Sequence, residues 1–169
     1  MASATPGRRS YTSSMQEQRR TDFPLNGPSQ ALEPLLGTWD TVGTHGLIPG
    51  TVLHGRASFE RLQPGGLVRW RSSISEEVGI PAGVAIIGSD DELGVYSMAY
   101  YDERGVSRIY EVGVEDEGLR WWRNAPSFAQ RYSLTFAEDG RTMTGRGELC
   151  RDGSTWERDL DLTYTKVEP

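Results

Sequence analysis

The chain has 169 residues, a net charge of −6, 36% hydrophobic residues, 20 glycines and 9 prolines. That length holds one domain with a real core and is too short for two comfortable ones. The low hydrophobic content and the excess of turn formers exclude a helical bundle and suit many short strands joined by tight turns.

Residues 1–30, MASATPGRRSYTSSMQEQRRTDFPLNGPSQ, carry few large apolar side chains. They cannot bury enough surface to offset the entropy of ordering, so a disordered N-terminal tail is predicted, with the folded domain over 31–169. The tail holds Arg8, Arg9, Arg19 and Arg20 against Glu17 and Asp22, a balance of +2, which leaves −8 for the domain. An acidic domain repels phosphate backbones, so nucleic acid is not an expected partner. The tail lacks the apolar core of a secretory signal, and no run approaches the roughly 18 apolar residues of a membrane span. The single cysteine, Cys150, makes no intramolecular disulfide and fits a reducing compartment. A cytoplasmic protein with no membrane partner is expected, as a monomer or homodimer.

ALEPLL, residues 31–36, predicts a short helical turn abutting the domain. Turn signals then recur at QPGG (63–66), SDDELG (89–94), DERG (102–105), EDEG (115–118), NAPS (124–127), EDGR (138–141) and RDGS (151–154). Their Asp-Gly, Pro-Gly and Glu-Gly pairs are expected to supply the positive φ that hairpin turns need. Between them lie segments with a period of two. Ten strands are predicted, near 37–44, 52–62, 66–75, 82–89, 94–101, 105–115, 118–124, 127–137, 141–150 and 154–167. With no long crossover they form an antiparallel meander, and a meander of this length closes to remove its edges. The fold class is therefore all-β, an up-and-down antiparallel barrel of 8–10 strands with room for one small ligand.

Alternation also assigns faces. Arg108 shares a face with Val106, Tyr110, Val112 and Val114. Arg123 shares one with Leu119 and Trp121. Gln130 lies with Phe128, Tyr132, Leu134 and Phe136, and Arg158 with Trp156, Leu160, Leu162 and Tyr164. A guanidinium on an inward face needs a partner. That partner is either an internal carboxylate (Glu111, Glu148, Glu157 or Asp159) or an anionic ligand. Trp70, Tyr96, Tyr110, Trp121 and Tyr132 would wall the same cavity, or simply pack as core.

The histidines are His45 and His54 alone. No carboxylate or cysteine lies close enough in sequence to complete a metal set, so no metal is expected. His54 falls on a polar, solvent-facing side of its strand. His45 follows the first strand before GLIPG, near a barrel mouth, either as a surface histidine or as a group that orients a ligand or moves a proton.

LLGTW at the domain start, the train of hairpins and the closing DLDLTYTKV resemble the calycin group, which includes lipocalins, fatty-acid-binding proteins and nitrobindins. The order of GTW, PG, GRASFE, GSDD, YYDERG and DGSTWE is similar to that in a family of uncharacterised bacterial lipocalin-like proteins of the DUF1579 type. The resemblance covers about residues 35–167. It implies a barrel with a central cavity whose closed end is crossed by the tryptophan of the Gly-x-Trp triplet, here Trp39. Nitrobindin-like barrels hold haem through a late histidine; this chain has none after His54, so no cofactor is expected.

Three functions stay open on the sequence. The first is a non-catalytic carrier or sensor for a small, partly apolar, anionic molecule, held by Arg108, Arg123, Gln130 and Arg158 among the aromatic residues. The second is a cofactor-independent cyclase or isomerase acting on a natural-product-like substrate, with Tyr110, Arg123, Arg158 and His45 as candidates. The third is a domain whose core is filled.

Overall fold

The structure is a computed structural model that describes residues 30–62, 66–90 and 92–168. The predicted tail, apart from Gln30, lies outside the described residues, as do most of the QPGG turn and Asp91 of SDDELG.

Ten antiparallel strands close into one barrel. They are β1 (Gly37–His45), β2 (Leu53–Arg61), β3 (Val68–Ile74), β4 (Gly83–Ser89), β5 (Tyr96–Asp102), β6 (Ser107–Glu115), β7 (Gly118–Arg123), β8 (Ala129–Phe136), β9 (Thr142–Cys150) and β10 (Glu157–Lys166). Each strand pairs with its neighbours in sequence, and β1 pairs with β10, so no free edge remains. No helix among the described residues is long and apolar enough to cross a membrane.

The turns follow the expected chemistry with one exception. Gly94, Gly105, Gly140 and Gly153 adopt positive φ, as their turn motifs require. Gly118 of EDEG does not. It opens β7, where an added Cβ would lie 2.1 Å from the Leu134 carbonyl oxygen. A close approach of strands, not a left-handed backbone, demands glycine there.

The two ends of the barrel differ. At one end the predicted helical turn appears as a 3-10 turn, Glu33–Leu35. Leu32 and Leu35 are fully buried and pack in one cluster with Trp39, Phe59 and Val68. The Trp39 indole N–H donates to the Leu35 carbonyl at 2.8 Å, and the Lys166 ammonium sits 5.2 Å from the indole ring centre. Trp39 thus closes this end, as its triplet implied. At the other end lie the turns after β1, β3, β5, β7 and β9, and this is the open end.

Candidate functional site

A cavity of about 500 Å³ opens between those turns. Leu47, Ile48, Val78, Ile80 and Pro81 form an apolar lip, with Arg104, Phe128 and Arg151 on the far side. Inside, the lining divides by strand. Trp70, Tyr100, Tyr110, Trp121 and Tyr132, from β3 and β5 to β8, make an aromatic arc. Thr41, Ala57, Leu149, Leu160 and Leu162, from β1, β2, β9 and β10, make a largely aliphatic one.

The aromatic rings touch in a chain, with Trp70 of β3 reaching Trp121 of β7. Trp121 stacks on Tyr132 at 4.6 Å and 17°. Trp70 lies 5.6 Å from Trp121 and 6.4 Å from Tyr100, and Tyr100 meets Tyr110 edge-on at 6.3 Å. Deeper still, the Tyr132 and Tyr164 hydroxyls are 3.1 Å apart. Burial drives the Tyr132 phenol well above its ordinary range and the Tyr164 phenol up to about 12, so both hold their protons.

A string of polar contacts crosses the mouth of the cavity. The Leu47 backbone N–H donates to His45 Nδ1 at 3.1 Å, which makes Nδ1 an acceptor and leaves the proton on Nε2. Nε2 lies 3.0 Å from Asp159 Oδ1. The Gln130 amide N–H donates to Asp159 Oδ2 at 2.6 Å, and the Tyr110 hydroxyl donates to Gln130 Oε1 at 2.6 Å. Asp159 is 8% exposed, a buried carboxylate that accepts from the Gln130 amide and is paired with His45. Burial raises the Tyr110 phenol, and the hydrogen bond and charge of Arg108, with the charge of Arg123, oppose that rise without cancelling it.

Most of the predicted site residues meet at this end. Arg108 faces inward and lines the cavity, its guanidinium 4.2 Å from the centre of the Phe128 ring. Arg123 pairs across β7–β8 with Gln130 and lies just beyond the lining. None of the ion pairs among the described residues includes Arg108 or Arg123. Neither takes one of the four internal carboxylates considered from the sequence. Glu148 pairs with Arg131, Glu157 with Arg151, and Asp159 with His45. Trp70, Tyr110, Trp121, Gln130 and Tyr132 line the cavity; Tyr96 packs against the core at the closed end instead.

Two expectations are corrected. Arg158 points outward, 69% exposed in its side chain and paired with Asp161. The register of β10 against β9 shifts between Arg158 and Asp161. This bulge inserts one extra residue opposite Gly147, which turns Arg158 out and brings Asp159 in. Trp156 likewise sits outside, under the Arg131 guanidinium at 4.1 Å. His45 is not a surface histidine: it ends β1 with its side chain 14% exposed against Asp159. His54 does face solvent, paired with Glu76 at 2.9 Å. Among the described residues no three His, Cys, Asp or Glu side chains are arranged to hold a metal.

No family model matches the chain, and no curated protein matches it. Among solved structures it is similar to Rv2717c from M. tuberculosis. The TM-score is 0.60 at 14% identity, over 86% of this chain and 99% of that one. The likeness is one of fold: a closed antiparallel barrel built from nearly the whole of the described chain.

At the rim, Asp102 organises the β5–β6 turn. Its oxygens accept from the Arg104 backbone at 3.0 Å, the Arg104 guanidinium at 2.6 Å and the Tyr100 hydroxyl at 3.3 Å. The Arg104 guanidinium holds its carboxyl down at about 2, below the usual carboxylate range. A carboxyl lowered by folding contributes stability above its unfolded value and loses it as pH falls toward the folded one. The stability it adds is therefore present above about pH 4 and lost towards pH 2. Urea midpoints compared at pH 6 and pH 2.5 should show a smaller acid loss in Asp102→Asn than in the parent. Some loss persists, because backbone N–H groups also lower Asp139 and Asp152. An identical acid loss in both proteins would show that Asp102 contributes nothing.

Proposed function

We propose that the barrel is a binding protein for a small, partly apolar anion, held with its charged head toward Arg108 and Arg123. One observation carries this reading. The Arg108 guanidinium lines a largely apolar 500 Å³ cavity without a carboxylate partner, and Arg123, also unpaired, stands next to the lining residue Gln130 in the β7–β8 register. A guanidinium removed from water needs an anion or its equivalent in hydrogen bonds, and a cavity of this kind with a few convergent polar groups suits a small ligand. The wild-type protein is titrated calorimetrically with two pairs of compounds, undecanoate with undecanol and 2-naphthoate with 2-naphthamide. At least one anion should bind about tenfold or more tightly than its neutral counterpart, a difference of about 1.4 kcal/mol. The Arg108→Ala/Arg123→Ala protein should lose that difference while keeping its melting temperature within a few degrees. Equal binding of anion and neutral partner in both pairs would overturn the reading.

A second reading, a cofactor-independent isomerase or cyclase, is supported by the Asp159 carboxylate lining the same cavity as Arg108 and Tyr110. A carboxylate beside cationic donors suits removal of a proton next to a carbonyl, with the enolate held by the guanidiniums. Protein-dependent exchange of the benzylic protons of phenylpyruvate into D2O is its direct test, and exchange no faster than in buffer alone counts against it.

A further inference from the structure

We infer that the occupant is an aryl carboxylate or a related flat oxyanion, not an aliphatic acid. This rests on the anion-binding reading above and adds the class of ligand.

The head group follows from the direction of each hydrogen bond at the mouth. The Leu47 N–H forces His45 to be a donor through Nε2. Asp159 can only accept, so the Gln130 amide must turn its N–H toward it and its oxygen toward Tyr110. The Tyr110 proton is therefore committed to Gln130 and does not reach the cavity. What remains on offer to a ligand is a set of donors: the Arg108 guanidinium, the unpartnered Trp70 indole N–H and the Thr41, Ser72 and Ser73 hydroxyls of the lining. A group that must itself donate, such as an alcohol, an amide or a protonated acid, needs an acceptor, and the Asp159 carboxylate in this string is already engaged by His45 and the Gln130 amide. A fully deprotonated oxyanion does not need one, and a planar carboxylate suits the guanidinium fork.

The body follows from the two arcs. The aromatic arc is continuous from Trp70 to Tyr110 on one side and from Trp70 through Trp121 to Tyr132 on the other. The opposite wall offers Leu149, Leu160 and Leu162. The cavity is thus bounded by a chain of rings on one side and mainly by leucines on the other, with Tyr164 beside them. An alkyl chain gains burial from either wall. A flat ring gains the same burial and in addition the offset-stacked or edge-to-face contacts that rings make with one another.

The test compares 2-naphthoate with undecanoate, which share a head group and a carbon count. By calorimetry 2-naphthoate should bind the wild-type protein about tenfold or more tightly, a difference of about 1.4 kcal/mol. Its proton resonances should shift upfield on binding, the signature of stacking on protein rings. Trp70→Leu and Tyr100→Leu, each checked for folding by its melting curve, should shrink the preference several-fold, weakening 2-naphthoate more than undecanoate. Undecanoate binding as tightly as 2-naphthoate would overturn the inference and leave the anion-binding reading intact. So would a preference that survives in both variants. Failure of both anions against their neutral counterparts would instead remove the anion-binding reading, and this inference with it.

Discussion

Trp39→Ala is expected to destabilise the protein by about 4 kcal/mol and to lower its melting temperature by roughly 10 °C or more. Trp39 is 1% exposed, among the largest fully buried side chains. Its removal opens a hole at the closed end of the barrel that nearby strands, tied to each other on both sides, cannot collapse to fill. The loss extends beyond the cavity. The indole N–H holds the Leu35 carbonyl, and through it the 3-10 turn that carries Leu32 and Leu35 into the core. Trp39→Phe separates the two contributions. It keeps a large plate across the end and loses only the hydrogen bond, so a cost of about 1–2 kcal/mol is expected. Urea denaturation of both variants is the measurement. A Trp39→Ala cost below 1 kcal/mol would show that the turn and barrel close the end without the indole.

The prominence of Trp39 in the sequence and its importance in the fold have one origin. A Gly-x-Trp at the start of the first strand, followed by nine further alternating segments, leaves little freedom for where the chain begins to close. The alternation of period two also placed Arg108, Gln130 and Tyr110 on inner faces, because β6 and β8 run without interruption and one correct residue fixes the rest. The same logic failed on β10. Alternation counted back from Tyr164 through Leu162 and Leu160 puts Arg158 inside, and a single extra residue reverses it. No glycine marks the bulge on its own strand; the accommodating Gly147 sits on β9, where an added Cβ would lie 2.8 Å from the Leu160 carbonyl oxygen. A local reading of β10 contains no sign of it.

The bulge also explains why the partner of His45 was illegible. His45 and Asp159 stand at opposite ends of the domain in sequence, and they meet because β1 closes on β10 in the register His45 to Leu160. Regular alternation back from Leu162 and Leu160 would have left Asp159 outside. One displaced residue replaced a cationic group in the cavity with an anionic one, and so changed the charge pattern of the site. From sequence, Arg158 stood among the ligand-binding residues and Asp159 among the carboxylates that could satisfy the arginines. In the structure Arg108 and Arg123 go without a carboxylate, Arg158 pairs outside with Asp161, and Asp159 serves a histidine and an amide.

That exchange makes Asp159 the residue whose substitution should separate stability from binding most sharply. Asp159→Ala leaves His45 Nε2 and the Gln130 amide N–H without acceptors in a buried setting, and a cost of about 3 kcal/mol is expected. Asp159→Asn has a different outcome. Its oxygen can still accept from His45, while its N–H2 faces Gln130. The Gln130 amide can turn over to present its oxygen, so both contacts survive and the cost falls to about 1 kcal/mol. Once turned, Gln130 offers an N–H to Tyr110, whose hydroxyl becomes free to donate into the cavity. The same substitution removes a negative charge beside the proposed anion site. Both changes favour an anionic ligand, so Asp159→Asn should bind 2-naphthoate at least about threefold more tightly than the parent while melting at a lower temperature. Weaker binding in a folded Asp159→Asn protein would show that the carboxylate itself contacts the ligand and that the string does not set the polarity of the site. The isomerase reading makes a further demand on the same variant: proton exchange from phenylpyruvate must collapse even as binding of the aryl anion tightens, because an amide cannot take up the proton that a carboxylate can.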